Sequence, residues 1–195
     1  GIVGNDGETH QGIFDLSYLS HIPGLTVMAP KNKTEFEQML AFAADFQGPI
    51  AIRYPRGAAC LALEEYEQPI ALGKGEVLIE ENGIALVAVG SMVNTAMHVH
   101  DALKEAGIAS TVINMRFVTP LDEELLLQLS DTHSVVVTME ENVQAGGFGE
   151  KIAAFYQEKG MQIRQMFVAL PNAFLEHGEV SILKEKVQLT PEAIT

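Results

Sequence analysis

The sequence predicts an α/β protein of two units, the second built on a mostly parallel sheet. Strand-like and helix-like segments alternate along the chain, as they do where helices connect parallel strands. Two strand-like segments, 84–89 and 134–138, are almost continuously apolar, which is typical of strands buried on both faces. Residues 61–72 are acidic and lack a clear period, which indicates a linker. We therefore divide the chain into units 1–60 and 73–195.

The composition fits a globular protein and excludes several classes of partner. A chain of 195 residues with 47% hydrophobic and 19% charged residues can bury a core. The net charge of −14 and the absence of any run of lysine or arginine argue against nucleic acid and anionic membranes as partners. A single cysteine, Cys60, excludes an internal disulfide and fits a reducing compartment. We expect a cytoplasmic protein.

The first unit is predicted to contain two helices and two strands after an opening loop. Gly4, Gly7 and Gly12 permit unusual backbone angles, which indicates a folded loop. Asn32 is expected to cap the second helix, with Glu35 in the capping-box position. The predicted elements are a helix over 14–20, a strand over 25–28, a helix from Asn32 to Gly48-Pro49 that buries Phe36, Met39, Leu40 and Ala43, and a strand over 50–54.

The second unit is predicted to alternate strands and helices in a sheet covered on both faces, with room for one antiparallel edge strand. Residues 116–122 are expected to carry the chain over the sheet edge. The first predicted strand ends at Ile79, and the others cover 84–89, 108–114, 134–138 and 163–169. Three predicted helices follow in chain order, and their buried residues are Ala96, Val99, Leu103 and Ala106 in the first, Leu125, Leu126 and Leu129 in the second, and Ile152, Ala153 and Tyr156 in the third. A last helix is predicted over 180–187.

The segment Asp6-Gly7-Glu8-Thr9-His10 has the composition of a site rather than a core. Histidine titrates near neutrality and moves protons in either direction, and a nearby carboxylate can fix its tautomer or stabilise its charge. Asp6 and His10 therefore suit acid-base work on a hydroxyl or carbonyl. From the residues alone, the favoured interpretation is a loop whose polar side chains only satisfy turn backbone groups, with His10 half exposed.

Two arginines lie at the end of the predicted strand 50–54, which is where ligands bind in open α/β sheets. The guanidinium fork of Arg53 or Arg56 could hold a phosphate through two hydrogen bonds, although most arginines are simply exposed. Other candidates are weaker. His98 and His100 lie on different faces of a helix and do not suit joint metal ligation, and the adjacent Glu140 and Glu141 point apart on a strand.

The motif Gly4-x-Asp6-Gly7-x-Thr9-His10-x-Gly12-x-Phe14-Asp15-x-x-Tyr18, with the later Arg53-Tyr54-Pro55-Arg56-Gly57, resembles the transketolase group of thiamine-diphosphate enzymes. The resemblance covers essentially the whole chain. It implies that residues 1–60 are the C-terminal part of a pyrimidine-binding domain, that 61–72 are a linker, and that 73–195 are a transketolase C-terminal domain. It treats Glu140-Glu141-Asn142 and the glycines after them as structural.

Within the group, the chain looks most like the branch that decarboxylates pyruvate and transfers the two-carbon unit to glyceraldehyde 3-phosphate. The product of that branch feeds isoprenoid, thiamine and pyridoxal biosynthesis, and its cofactors are thiamine diphosphate and magnesium. The resemblance implies that His10 contacts the reacting oxygens, that Asp6 supports His10 and contacts an acceptor hydroxyl, and that Arg56 binds the acceptor phosphate. It leaves Arg53 structural and implies a homodimer.

Both ends of the sequence look cut, so we expect a fragment of a longer polypeptide. The family's second phosphate arginine, its cofactor-activating carboxylate and its metal-diphosphate motif have no match in the chain. We therefore expect the isolated chain to be inactive, with no cofactor bound, and its first unit to be the less ordered. Transketolase, the β subunit of a 2-oxoacid dehydrogenase and a non-catalytic dimerisation module remain as alternatives.

Overall fold

The computed structural model describes residues 1–195, which form seven helices and eight strands. None of these helices is both long and apolar enough to cross a membrane. In chain order, the elements are α1 (Asp15–Leu19), β1 (Thr26–Met28), α2 (Lys33–Asp45), β2 (Ile50–Ile52), β3 (Glu76–Ile79), β4 (Gly83–Ala88), α3 (Met92–Glu105), β5 (Ser110–Asn114), β6 (Phe117–Thr119), α4 (Glu123–Thr132), β7 (His133–Val143), α5 (Phe148–Glu158), β8 (Arg164–Leu170), α6 (Val180–Lys186) and α7 (Pro191–Ile194).

The larger sheet belongs to the second unit and has the strand order β3-β5-β4-β7-β8. Three of its four pairings are parallel, with Leu86 of β4 between Val112 and Val137, whereas β3 runs antiparallel to β5 at one edge. The prediction of a mostly parallel sheet with one antiparallel edge strand is confirmed. Both faces are covered, because alternate residues of β4 point into two separate cores.

Both cores also contain residues of the first unit. Ile2 and Ile13 are buried on the sheet face covered by α3 and α6. Leu16 and Val27 are buried on the opposite face, which α4 and α5 cover. Burying such apolar side chains stabilises the fold by about 1.5–3 kcal/mol each. Because each core contains residues of both units, this burial also holds the two units together.

The smaller sheet has the order β2-β1-β6, and its third strand comes from the second unit. β1 and β2 are parallel, and β6 pairs antiparallel with β1, placing Phe117 opposite Met28. The prediction that residues 116–122 only carry the chain over a sheet edge was therefore wrong. Arg116 has a φ of 58°, which turns the chain out of β5, and Phe117 is then buried against Met28 and Met39.

Three other details differ from the sequence predictions. Leu40 is exposed rather than buried, because α2 is covered on only one side. Ala106, which was predicted to be buried, is the C-cap residue of α3 and is exposed. β7 continues past residue 138 to Val143, so the polar Glu140-Glu141-Asn142 segment lies inside a strand. That segment stays extended because its side chains find partners in the first unit and at the start of α5.

Candidate functional site

The loop that precedes α1 is closed by tight turns. Gly4 and Gly7 have φ values of 80° and 77°, a region that glycine adopts without strain. The amide of Gly7 donates to the carbonyl of Gly4, and the amide of His10 donates to the carbonyl of Gly7. The buried Gln11 anchors the loop, since its Oε1 accepts from Val3 N at 2.6 Å and its Nε2 donates to the carbonyl of Glu176 at 3.2 Å. The turns leave Asp6 and His10 at the surface.

The structure brings Asp6 together with Arg56, across the boundary between the loop and the segment after β2. Their carboxylate and guanidinium form an ion pair. His10 instead contacts its neighbour, with its Nδ1 2.9 Å from the hydroxyl of Thr9, and it makes no hydrogen bond to Asp6. When the hydroxyl donates to Nδ1, the ring proton resides on Nε2, which is then the free donor.

Arg53, three residues before Arg56, is buried beneath the loop. Its Nη2 donates to the carbonyl of Glu141 and, at 3.4 Å, to that of Gly12. Burial lowers the pKa of Arg53, while the carboxylates of Glu141 and Asp15 act in the opposite direction. Arg53 therefore holds the opening loop against the end of β7.

A crevice of about 570 Å³ lies beside Arg56, between the two units. Its walls are the start of α2, the segment 54–60, the start of α3 and one side of α6. Four of the chain's 12 lysines and arginines line it, in a protein of net charge −14, and Glu141 is the one carboxylate among the lining residues. His10 does not line the crevice. The cationic residues are Lys31, Lys33, Arg56 and Lys184.

Glu141 ties three parts of the chain together at the floor of this crevice. Its Oε2 accepts from Lys184 Nζ at 2.7 Å and from the hydroxyl of Ser91 at 3.0 Å, and its Oε1 accepts from Ile2 N at 2.8 Å. Burial favours the neutral acid, but Lys184 and Arg53 together outweigh it and lower the pKa of Glu141 to about 2. Glu141 is thus a fixed negative charge.

Glu140 points to the other face of the strand and has the opposite shift. Its carboxylate accepts from the amides of Phe148 and Gly149, both at 2.8 Å, at the start of α5. Burial nevertheless dominates and raises the pKa of Glu140 to about 7. The interpretation of this glutamate pair as structural agrees with these contacts.

A buried cluster of four charges joins the two units next to the crevice, and sequence reasoning missed it. Lys31 Nζ lies 3.1 Å from Glu35 and 2.8 Å from Glu76. Arg116 contacts the same two carboxylates at 2.8 and 3.1 Å, and each of the four side chains is 1% exposed. We call Lys31, Glu35, Glu76 and Arg116 the four-charge cluster. The four-residue spacing of Lys31 and Glu35 was its one signal in the sequence.

Glu35 also corrects the predicted capping box. Asn32 Oδ1 accepts from Glu35 N at 2.9 Å, so the N-cap is confirmed. The Glu35 carboxylate does not return to Asn32 but accepts from the backbone amide of Lys31 at 2.6 Å. It is drawn into the four-charge cluster instead, because Lys31 and Arg116 need buried counter-charges.

Family models match nearly the whole chain. The transketolase pyrimidine binding domain matches residues 1–60, and the transketolase C-terminal domain matches residues 73–194. The chain belongs to the transketolase family. Among solved structures, it is similar to a split-gene transketolase described as an inactive β4 tetramer, with a TM-score of 0.87 and 30% identity over 96% of this chain and 60% of that one. A Campylobacter jejuni transketolase shares the fold alone, at 20% identity, a TM-score of 0.77, and coverage of 98% of this chain and 28% of that one.

Two curated relatives are each named 1-deoxy-D-xylulose-5-phosphate synthase. The synthase of Lachnoclostridium phytofermentans is 56% identical over 100% of this chain. That of Heliobacterium modesticaldum is 42% identical over 97%. The chain spans 31% and 30% of the length of these two relatives.

Proposed function

We propose that this chain is part of a 1-deoxy-D-xylulose-5-phosphate synthase. Such an enzyme decarboxylates pyruvate and transfers the remaining two-carbon unit to the aldehyde of glyceraldehyde 3-phosphate. The product is a precursor for isoprenoid, thiamine and pyridoxal biosynthesis. The observation that carries the proposal is the 56% identity to a synthase across all 195 residues, site loop included.

In this proposal Arg56 binds the phosphate of the acceptor. Its guanidinium is 63% exposed and is paired only with Asp6, so a phosphate dianion can reach it and replace or share that contact. Asp6 then has two roles. It orients Arg56 before the substrate binds, and it contacts an acceptor hydroxyl afterwards. This use of Asp6 differs from direct support of His10, for which the geometry offers no hydrogen bond.

His10 is the proposed proton donor. The acceptor's carbonyl oxygen becomes a hydroxyl during carbon-carbon bond formation and needs a proton. As the imidazolium, His10 can deliver the proton on Nε2 to that oxygen and is left as the neutral imidazole, whose Nδ1 then accepts from the hydroxyl of Thr9. A residue that both hydrogen-bonds the carbonyl and protonates it must be accessible, and His10 is exposed.

Thiamine diphosphate with magnesium supplies the decarboxylation and carbanion chemistry in such synthases. We propose that the residues that hold this pair lie outside this chain, because the family's cofactor-activating carboxylate and metal-diphosphate motif have no match in it. We therefore assign only acceptor-site roles to its residues.

The domain division and the assembly complete the proposal. We propose residues 1–60 as the last part of the pyrimidine-binding domain, 61–72 as a linker and 73–195 as the C-terminal domain. We also propose a cytoplasmic homodimer. The first unit is expected to be the less ordered one, and limited proteolysis that trims it before the second unit would support that expectation.

The test uses a polypeptide of the relatives' length that contains this chain. Given pyruvate, glyceraldehyde 3-phosphate, thiamine diphosphate and magnesium, it should release carbon dioxide and 1-deoxy-D-xylulose 5-phosphate, both measured by mass spectrometry. Arg56→Ala should raise the KM for the phosphorylated acceptor by about 10- to 100-fold, as expected for losing a charge-assisted contact. Arg164→Ala, which removes an exposed arginine on β8, is the matched control.

Two outcomes would count against the proposal. Absence of both products, together with turnover of ketose phosphates as two-carbon donors, would favour a transketolase. Unchanged turnover of both substrates in Arg56→Ala and His10→Asn would favour a non-catalytic module.

A further inference from the structure

We infer that Glu76 and Arg116, two residues of the second unit, are positioning residues for Arg56. The inference rests on the proposed phosphate-binding role of Arg56. Neither residue lines the crevice or touches the site loop. They act through the four-charge cluster and the start of α2, in three steps.

The first step is the attachment of Arg56 itself. Arg56 lies in the segment 54–60, which leaves β2 after the bond from Arg53 N to the carbonyl of Met28 at 2.8 Å. From Tyr54 to Ala59, no residue takes part in a backbone–backbone hydrogen bond. The position of this exposed segment therefore depends on how its two ends are held.

The second step is the contact between the far end of this segment and α2. The amide of Lys33 donates to the carbonyl of Cys60 at 2.9 Å. Asn32 Nδ2 donates to the carbonyl of Ala62, also at 2.9 Å. At the near end, the ring of Tyr54 lies 4.7 Å from that of Phe36, between centroids. Contacts at Asn32, Lys33 and Phe36 thus attach both ends of the Arg56 segment to the beginning of α2.

The third step fixes the beginning of α2 in turn. Lys31 directly precedes the cap residue Asn32, and its amide and its Nζ both contact the Glu35 carboxylate. Glu76 and Arg116 supply the remaining charges of the cluster from the second unit, and Arg116 also donates to the carbonyl of Gln68 at 2.9 Å. Two cations and two carboxylates balance, so the cluster is neutral and its geometry is strongly determined.

Removing one member leaves a buried charge without its partner, and the start of α2 must rearrange to rehydrate it. The Arg56 segment would move with it. The expected signature is a loss of selectivity for the phosphate of the acceptor and not a loss of the chemical step. Replacing a residue that only stabilises the fold would not lower phosphate selectivity while leaving the chemical step unchanged.

The experiment compares two acceptors in a polypeptide of the relatives' length with pyruvate as donor. Glyceraldehyde 3-phosphate and unphosphorylated glyceraldehyde give a ratio of kcat/KM values that reports phosphate recognition. Glu76→Gln should lower this ratio at least 10-fold while leaving kcat with glyceraldehyde unchanged. Leu129→Ala, which opens a cavity in the core under α4, should lower stability and leave the ratio unchanged.

A second variant covers the case in which Glu76→Gln does not fold. Arg116→Lys keeps the cluster neutral, but an ammonium cannot reproduce the contacts of the guanidinium to Glu35, Glu76 and the carbonyl of Gln68, so it should also lower the ratio. Combining Glu76→Gln with Arg56→Ala should lower the ratio no further than Arg56→Ala alone, because both act on one contact.

The results distinguish the positioning role of Glu76 and Arg116 from the phosphate-binding role proposed for Arg56. If Arg56→Ala abolishes phosphate selectivity while Glu76→Gln and Arg116→Lys keep it, the positioning role is wrong and the proposed function stands. If Arg56→Ala itself leaves the ratio unchanged, Arg56 does not bind the phosphate, and both ideas fail.

Discussion

Glu141→Gln gives the sharpest test of the electrostatics at the crevice floor. The wild-type carboxylate accepts from Lys184, Ser91 and Ile2 and is almost fully buried. Its pKa falls from an ordinary value of 4.5 to about 2, because Lys184 and Arg53 outweigh the effect of burial. Each pKa unit is worth about 1.4 kcal/mol, so ionised Glu141 stabilises the folded chain by about 3 kcal/mol at neutral pH.

The pH dependence has a definite sign. The folded state has the lower pKa, so this stabilisation is complete above the unfolded value near 4.5 and is lost as the pH falls toward 2. Glutamine cannot ionise. At pH 7 the variant should be about 3–5 kcal/mol less stable than wild type, since Lys184 and Arg53 lose a buried counter-charge.

The assay is urea denaturation followed by circular dichroism at several pH values from 7 to 2.5. The stability difference between wild type and Glu141→Gln should narrow by about 3 kcal/mol across that range. Glu158→Gln, a change at an exposed glutamate without an ion pair, should give a small difference throughout. A difference between Glu141→Gln and wild type that stays constant with pH would show that Glu141 is not held ionised by its neighbours.

Three further changes test other parts of the fold by the same denaturation assay. Glu35→Ala should cost about 3–5 kcal/mol by leaving Lys31 and Arg116 with one carboxylate, whereas Glu37→Ala, at an exposed pair on the same helix, should cost under about 1 kcal/mol; equal losses would contradict the role of the cluster. Asn32→Ala should cost about 1–2 kcal/mol and Asn32→Asp, which keeps the capping oxygen, clearly less. Gly149→Ala should lower the melting temperature, because a Cβ there would lie 2.5 Å from Thr138 Oγ1 and 2.7 Å from the ring of Phe167; an unchanged melting temperature would mean that β8 yields easily.

The larger sheet could be predicted from the sequence because each of its strands carries a local signal. β4 and β7 are runs of apolar residues, and the helices between strands repeat apolar residues at helical spacing. Local patterns also located the cap at Asn32 and the loop around His10, since glycines and capping residues act on their immediate neighbours.

The errors at β6, at the end of β7 and in the four-charge cluster lie where a distant segment decides the structure. Phe117 forms a strand only because β1, almost 90 positions earlier, offers an unpaired edge. Glu140 and Glu141 stay in β7 because partners from α5, α6 and the first unit satisfy them. The four-charge cluster joins residues separated by up to 85 positions, and charge pairing at that range has no period that a single sequence reveals.

The pairing of β6, from the second unit, with β1 of the first unit has a practical consequence for building chimeras of related enzymes. Residues 61–72 look like a natural crossover point, yet joining two parents there takes β1 from one and its antiparallel neighbour from the other. The register between Met28 and Phe117 must then be matched as carefully as any interface between subunits. A crossover between Thr119 and α4 would keep the smaller sheet within one parent but would divide the larger sheet. Each of these two crossover points therefore divides one of the two sheets between the parents.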